Sequence, residues 1–163
     1  MLLEILISGG LRVLLAALAL VVITVAIHAV GLSMLVRALA RWEILAVSGL
    51  RRVTAVLIVL TCWLMLIHLL EISVWGLFYL WEGCMPDAET AFYFSGETYT
   101  TLGYGDLVLP KAWRMLAPLE AMTGILVSGL STGVFFAIVL RWISNWMRAR
   151  ITPEPAPPSP TSD

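Results

Sequence analysis

The residues whose types could do chemistry are concentrated in one polar stretch, ETYTTLGYGDLVLP, between Glu97 and Pro110. It lies between two long apolar runs and holds three threonines, the carboxylate of Asp106 and two glycines one residue apart. Non-helical backbone at membrane depth is stable only where it is buried in protein or lines a watery path. The part TLGYGD, residues 101–106, is therefore interpreted as backbone that faces such a path. The alternative is an ordinary glycine-rich outer loop.

Three histidine and carboxylate positions lie inside the first two apolar runs. His68 and Glu71, three residues apart on a helix, can touch. We expect them to form a buried hydrogen-bonded pair, because a metal site would need more ligands than these two. His28 is alone on the first run and is expected to be a packing residue, with a pH-dependent role as the alternative. The sequence predicts no structural metal.

The composition limits the class of protein. The 163 residues are 60% hydrophobic and 13% charged, which is too little polar surface for a soluble domain. A net charge of −1 without a sustained basic run gives no reason to expect nucleic-acid binding. Cys62 and Cys84 are predicted to be free thiols, with an intersubunit bridge through Cys84 as the alternative. No nucleophile–base constellation is present in the sequence, so we do not expect an enzyme.

Three apolar runs are long enough to cross a bilayer, which takes about 20 helical residues. They are residues 11–36, 53–80 and 113–142. The first could be a signal peptide, but its length and its single nearby cation, Arg12, favour a retained helix. The prediction is an all-α integral membrane protein with a transmembrane helix in 1–36, a basic linker at 37–52, a membrane unit at 53–142 and a disordered, proline-rich tail at 143–163.

Arginine placement predicts the orientation of the chain. Seven of the nine arginines fall in the linker or at and after the end of the third run, and they are Arg37, Arg41, Arg51, Arg52, Arg141, Arg148 and Arg150. By the positive-inside rule, the linker and the C-terminus are cytoplasmic. The N-terminus and the glycine-containing stretch then face outward. We expect a multi-pass protein of the cell (inner) membrane.

The segment TTLGYGD resembles the selectivity-filter signature of potassium channels. Its surroundings resemble the outer-helix, pore-helix, filter and inner-helix unit of two-transmembrane ion channels. The resemblance covers about residues 53–140 and implies an outer helix at 53–80, a re-entrant pore helix at about 88–100, a filter at 101–106 and an inner helix at 113–142. Asp87 is the predicted N-cap of the pore helix. The family resemblance implies a homotetramer in the lipid bilayer that conducts potassium passively and needs no cofactor beyond the permeant ion.

The same resemblance implies roles for the residues of the stretch. Potassium at the filter would be bound by Thr101, Leu102, Gly103, Tyr104 and Gly105. Support would come from Glu97, Thr100 and Asp106. Glu97 and Asp106 would share a proton behind the filter, which would raise one pKa; the alternative is two independently solvated carboxylates. Leu102 departs from the family pattern, where valine or isoleucine is usual.

The inner helix carries further residues with implied roles. Gly124 is the predicted gating hinge, with Gly129 as the alternative, and simple close packing of small residues competes with both. The predicted cavity-lining residues are Glu120, Ile125, Ser128 and Thr132. Glu120 has a second interpretation, in which it lies behind the filter and hydrogen-bonds the pore helix.

Two other transport functions remain as alternatives to a potassium-selective channel. One is a non-selective cation channel, if Leu102 loosens the filter. The other is a subunit of an active potassium-uptake transporter. The arginines lack the every-third-residue spacing of a voltage sensor, and the sequence specifies neither the gating stimulus nor a regulatory partner.

Overall fold

The computed structural model describes residues 2–41 and 50–151, and the side chains of 9–41 and 51–148. This part of the chain forms four helices and no strand: α1 (Leu2–Arg41), α2 (Leu50–Trp81), α3 (Ala88–Tyr99) and α4 (Leu116–Ile151). Three of these helices, α1, α2 and α4, are long and apolar enough to cross a membrane. The prediction of an all-helical protein with three spanning helices is therefore confirmed for the described residues.

The spanning helices extend beyond the apolar runs that predict them. Helix α1 continues through the start of the predicted linker to Arg41, and α4 continues through the first part of the predicted tail to Ile151. Hydropathy predicts only the part of a helix that lipid can cover. The helical backbone hydrogen bonds can continue into the polar residues beyond that part. The tail prediction is thus wrong for residues 143–151, and residues 152–163 lie outside the described part. Helix α4 starts at Leu116, three residues after the predicted start of the inner helix, and turns precede it.

Helices α1 and α2 pack antiparallel. Near one end, Arg12 Nη2 donates to Glu82 Oε2 at 2.6 Å and its guanidinium lies over the Trp113 ring. An apolar cluster at this end contains the fully buried Trp75 and Tyr79. A second cluster lies toward the other end and consists of Leu32, Leu35, Leu39, Leu60, Leu64 and Ile67. Two separate apolar clusters thus hold the bundle, and polar side chains lie between them.

Helix α1 is joined to α2 by directional contacts as well as by apolar packing. The indole N–H of Trp75 donates to Thr24 Oγ1 at 2.9 Å, and the indole of Trp63 donates to the carbonyl of Gly31 at 3.0 Å. A Cβ at Gly31 would lie only 2.6 Å from the side chain of Ile67, so glycine permits this close approach. These contacts fix the register of α1 on the outer face of the unit formed by α2, α3 and α4.

Helix α3 is short and packs against α2 and α4. Its close approach to α2 occurs at Gly76, where a Cβ would lie 3.3 Å from the Cα of Phe92. The chain leaves α3 at Tyr99 and passes through an irregular segment before the turns that lead into α4. The fold therefore presents residues 101–106 at the end of a helix held between two others.

Candidate functional site

The start of α3 is set by the predicted N-cap. Asp87 has extended backbone, with φ −152° and ψ 170°, and its carboxylate accepts from the Thr90 amide at 2.8 Å. The Thr90 hydroxyl donates to the same carboxylate at 3.0 Å. These hydrogen bonds favour the ionised form and hold the pKa of Asp87 below its usual value. The cap predicted from sequence is confirmed.

The end of α3 is closed by the residues that follow it. The Thr100 hydroxyl donates to the carbonyl of Gly96 at 2.7 Å, and the Leu102 and Gly103 amides donate to the carbonyl of Glu97 at 2.8 and 3.2 Å. The carbonyls of a last helical turn lack intrahelical partners, so these bonds satisfy groups that would otherwise be open. They also fix where the chain goes after the helix. Thr100 thus has a supporting contact in the position where the sequence predicts filter support.

The segment 101–106 has an alternating backbone. The φ angles of Thr101, Gly103 and Gly105 are +60°, +54° and +77°, whereas the residues between them have negative φ. Positive φ costs glycine little, but for a β-branched threonine it is an outlier that the surroundings must impose. All six residues are exposed in the single chain, and no described residue donates a hydrogen bond to the carbonyl oxygens of residues 101–105. These oxygens are free to bind something else.

The two carboxylates beside this segment have different partners. Glu97 is buried and its Oε2 accepts from the Tyr104 amide at 3.2 Å. Asp106 is exposed and accepts from the Tyr93 hydroxyl at 3.1 Å and from the Leu107 amide at 3.1 Å. The two carboxylates thus accept hydrogen bonds from different groups, and the shared proton stays a prediction. Each carboxylate still supports the segment, Glu97 directly at its backbone.

Glu120 has no access to a cavity. It is 0% exposed, and its carboxylate accepts from Ser95 Oγ at 2.5 Å and from Tyr79 Oη at 2.6 Å. The carboxylate thus connects α4 with α3 and α2. The cavity-lining prediction is corrected, and the alternative interpretation, a hydrogen bond to the pore helix, describes the contact. The sequence could not separate the two because the choice depends on the rotation of α4 about its axis.

The glycines of α4 differ in their surroundings. Gly124 is buried, and a Cβ there would overlap the carbonyl oxygen of Tyr99, so α4 and the end of α3 meet at this point. Gly129 has no atom within 4 Å of such a Cβ. Close packing against α3 therefore explains why glycine stands at position 124. The role of a gating hinge stays a prediction for both Gly124 and Gly129. Ile125 and Thr132 are exposed and Ser128 is half-buried, so each reaches a surface of the single chain.

A buried polar group was only partly foreseen from the sequence. The predicted contact of His68 with Glu71 is present, with Nδ1 to Oε2 at 3.2 Å. His28 Nδ1 lies 2.9 Å from the other carboxylate oxygen, although 43 residues separate the two in the chain. Its Nε2 lies 3.3 Å from Ser131 Oγ. His28 is thus part of a network that joins α1, α2 and α4, and the only sequence signal for it was a polar residue in an apolar run.

Comparison with known proteins gives two matches. Residues 53–141 match the family model described as "Ion channel". The voltage-gated potassium channel Kch of Escherichia coli (strain K12) is 40% identical over 77 residues, which are 45% of this chain and 18% of that protein. The chain therefore corresponds to a small part of this relative, and no solved structure matches it.

The matched segment contains α2, α3, the exposed segment 101–106 and most of α4. It is also more than half of the 163 residues. The family points to a channel rather than an enzyme. With three helices able to cross a membrane, this multi-pass chain belongs to the ion channel family.

Proposed function

We propose that the chain is a potassium-selective channel in which segments 101–106 from four copies surround one conduction axis. The observation that carries this proposal is the alternating backbone of the segment, with φ of +60°, +54° and +77° at Thr101, Gly103 and Gly105. Alternation of left-handed and right-handed residues turns successive carbonyl groups toward the same side of the chain. Carbonyl oxygens in rings replace the water that potassium loses on entering such a filter.

A homotetramer is supported by the side chains and carbonyl groups of segment 101–106 that are exposed in the single chain. One segment provides only one side of a ring of oxygens, so several copies are needed to surround an ion. Leu102 and Tyr104 are 56% and 69% exposed in the single chain, although both lie among membrane helices. Neighbouring copies would cover these side chains and leave the carbonyl oxygens facing the axis. The re-entrant position of α3 follows from the same arrangement, since α2 and α4 both span.

The proposed orientation follows from the arginines at one end of the bundle. Arg41 at the end of α1, Arg51 at the start of α2 and Arg148 near the end of α4 lie at that end. By the positive-inside rule this end is cytoplasmic and segment 101–106 lies near the outer surface of the inner membrane. The permeant ion would be the only ligand that conduction requires.

Selectivity for potassium is supported by the sequence TLGYGD and by the name of the relative that shares 40% identity over 77 residues. Leu102 replaces a β-branched residue of the usual pattern but contributes the same carbonyl oxygen. Passive flux through a filter requires no energy source, which distinguishes this proposal from an uptake transporter.

The test is ion flux from the purified protein in liposomes. Potassium flux that exceeds sodium flux and is blocked by barium is the expected result. Equal permeability to both ions would favour the non-selective channel. Absence of passive flux at any pH, voltage or membrane tension would favour a transporter subunit. Native mass spectrometry of the detergent-solubilised protein should give a tetramer.

A pair of glycine variants tests the filter assignment itself. Gly103→Ala forces a side chain onto a residue with φ +54° and should abolish potassium-selective flux. Gly9→Ala is the matched control, because Gly9 is helical and a Cβ there meets no atom within 4 Å. Its flux should equal that of the wild type. Unchanged selectivity in Gly103→Ala would refute the assignment.

A further inference from the structure

The polar group between the two apolar clusters brings together side chains from three helices. His28 comes from α1, His68 and Glu71 from α2, and Tyr99 is the last residue of α3. Glu71 Oε1 lies 2.9 Å from His28 Nδ1, and Oε2 lies 3.2 Å from His68 Nδ1 and accepts from the Tyr99 hydroxyl. We call His28, His68, Glu71 and Tyr99 the histidine–carboxylate cluster.

The cluster carries a carboxylate without a fixed positive charge. The side chains of His28 and Glu71 are 1% and 0% exposed, and that of His68 is 17% exposed. Within the described ranges, the ion-pair contacts of Glu71 are to the two imidazoles and not to lysine or arginine. An isolated buried carboxylate is costly in an apolar interior. A bound cation would neutralise it.

The ligand atoms are spaced for a small transition-metal ion. One ligand atom from each of His28, His68 and Glu71 lies within 4.8 Å of the others. The two shortest nitrogen–oxygen contacts, 2.9 and 3.2 Å, are to different oxygens of the Glu71 carboxylate. Tetrahedral Zn²⁺ with bonds of about 2.1 Å places its ligand atoms roughly 3.4 Å apart. Two imidazoles and one carboxylate are a ligand set that Zn²⁺ uses when its fourth position is left for water or another oxygen. The Tyr99 hydroxyl, 2.8 Å from His68 Nδ1, is a further oxygen close to these ligands.

The second nitrogen of His28 has the partner that a metal-bound histidine needs. Its Nε2 lies 3.3 Å from the buried Ser131 Oγ. Histidines that bind metals through one nitrogen almost always donate the other N–H to an oxygen, which fixes the tautomer. Without metal, one tautomer of His28 lets Nδ1–H donate to Glu71 while Nε2 accepts from Ser131. With metal on Nδ1, the proton is on Nε2 and donates to Ser131, so the change of tautomer loses no proton overall.

A cavity between α2 and α4 has His68 of the cluster on its wall, and several hydroxyl groups are part of its otherwise largely apolar lining. The cavity has a volume of about 380 Å³, and its lining includes His68, Ser128, Ser131 and Thr132. Hydroxyl groups can replace part of the water of an entering ion. His68, the most exposed ligand of the three, lies on the wall of this cavity.

From the ligand set, its spacing, the Ser131 contact and the cavity, we propose that the histidine–carboxylate cluster binds one divalent transition-metal ion, with Zn²⁺ as the best fit. The sequence alone offered two ligands and predicted no structural metal. The third ligand is supplied by α1, so the ion would join α1 to the pore-forming helices. This proposal does not depend on potassium conduction, because binding can be measured without flux.

The test is zinc binding by the full-length protein, purified without a polyhistidine tag. The chain contains two histidines and both belong to the cluster. An imidazole signal in the zinc X-ray absorption spectrum can therefore come only from this site. The expected result is about one Zn²⁺ per chain by elemental analysis, with nitrogen and oxygen ligands, and a melting temperature that rises with Zn²⁺ and falls back with chelator.

Variants distinguish zinc bound at the histidine–carboxylate cluster from zinc bound elsewhere on the protein. His28→Ala and Glu71→Gln should lose the bound zinc, whereas Glu82→Gln, at a carboxylate that binds Arg12 outside the cluster, should keep it. A wild-type protein that stays free of zinc overturns the proposal, whatever the variants do. Sulfur ligands in the absorption spectrum, or wild-type zinc content in His28→Ala, would also overturn it. Gel filtration identifies any variant that fails to fold, and the wild-type measurement then decides.

Discussion

Replacing Gly124 with alanine places a methyl group against the backbone of α3. The added Cβ would overlap the carbonyl oxygen of Tyr99. That oxygen belongs to the last residue of α3, two residues before segment 101–106, so it cannot rotate away as a side chain would. The helices must separate, or the end of α3 must shift.

The size of the effect follows from two opposing terms. Alanine is more favourable than glycine in a helix interior by about 1 kcal/mol. Overpacking a close helix contact costs about 1–3 kcal/mol, and a rigid backbone neighbour places Gly124→Ala near the upper end. The net loss is roughly 2 kcal/mol. Gly129→Ala, where a Cβ meets nothing within 4 Å, keeps only the favourable term and should gain up to about 1 kcal/mol.

The assay is thermal unfolding of both variants and the wild type in the same detergent, with flux measurements in liposomes. A difference of about 3 kcal/mol corresponds to a gap of roughly 6–12 °C between the variants for a chain of this size. Gly124→Ala should melt lowest and have reduced flux, because the overlap adjoins segment 101–106, the proposed filter. Equal melting temperatures for the two variants would show that α4 and α3 do not meet at Gly124.

Three other substitutions test contacts at the edges of the site. Tyr79→Phe removes one of the two donors to the buried Glu120 and should destabilise the protein by about 1–3 kcal/mol, measured by thermal unfolding. Asp87→Ala removes the N-cap of α3 and should lower the melting temperature at neutral pH. Because hydrogen bonds lower the pKa of Asp87, the cap stabilises the protein above the unfolded-state pKa and is lost as pH falls through the folded-state pKa. Arg12→Ala breaks an exposed ion pair to Glu82 and should cost less than about 1 kcal/mol, with a difference that shrinks in high salt.

Two of these substitutions have a control variant, and the third is checked by its salt dependence. Tyr93→Phe removes a hydroxyl whose acceptor, Asp106, is exposed, so it should change stability less than Tyr79→Phe; a larger effect would contradict the role of Glu120. Asp87→Asn retains a capping oxygen and should melt near the wild type. If Asp87→Ala and Asp87→Asn melt together, the cap does not stabilise α3. A salt-independent effect of Arg12→Ala would indicate that its contact with the Trp113 ring, not the ion pair, is the important one.

Features that depend on local sequence could be predicted, and those that depend on helix rotation could not. Three spanning helices follow from apolar runs, and the N-cap at Asp87 follows from residues three positions apart. The side of α4 that Glu120 occupies depends on which neighbours α4 meets. Periodicity therefore allowed both a cavity position and the contact with Ser95 that the structure has. The ends of α1 and α4 were missed because polar residues can continue a helix beyond the lipid.

Contacts between distant helices were the least predictable part. The sequence indicated that His68 can touch Glu71, since the pair is local. It could not indicate His28 as the second partner, because the register of α1 on α2 results from packing at many positions. Family resemblance implied that Glu97 pairs with Asp106. It did not indicate that Asp106 accepts a hydrogen bond from the Tyr93 hydroxyl, which the structure shows.

The contact between His28 and Glu71 has a consequence for biosynthesis. Helix α1 is made before its partners, since Glu71 follows 43 residues later and Ser131 follows 103 residues later. While α1 is alone in the bilayer, its imidazole lacks these partners and is costly to bury. If α1 and α2 enter the bilayer together as a helical hairpin, the His28 imidazole has the Glu71 carboxylate as its partner from the start. The order in which the helices leave the ribosome therefore favours paired insertion, and the unit formed by α2, α3 and α4 stabilises the helix that precedes it.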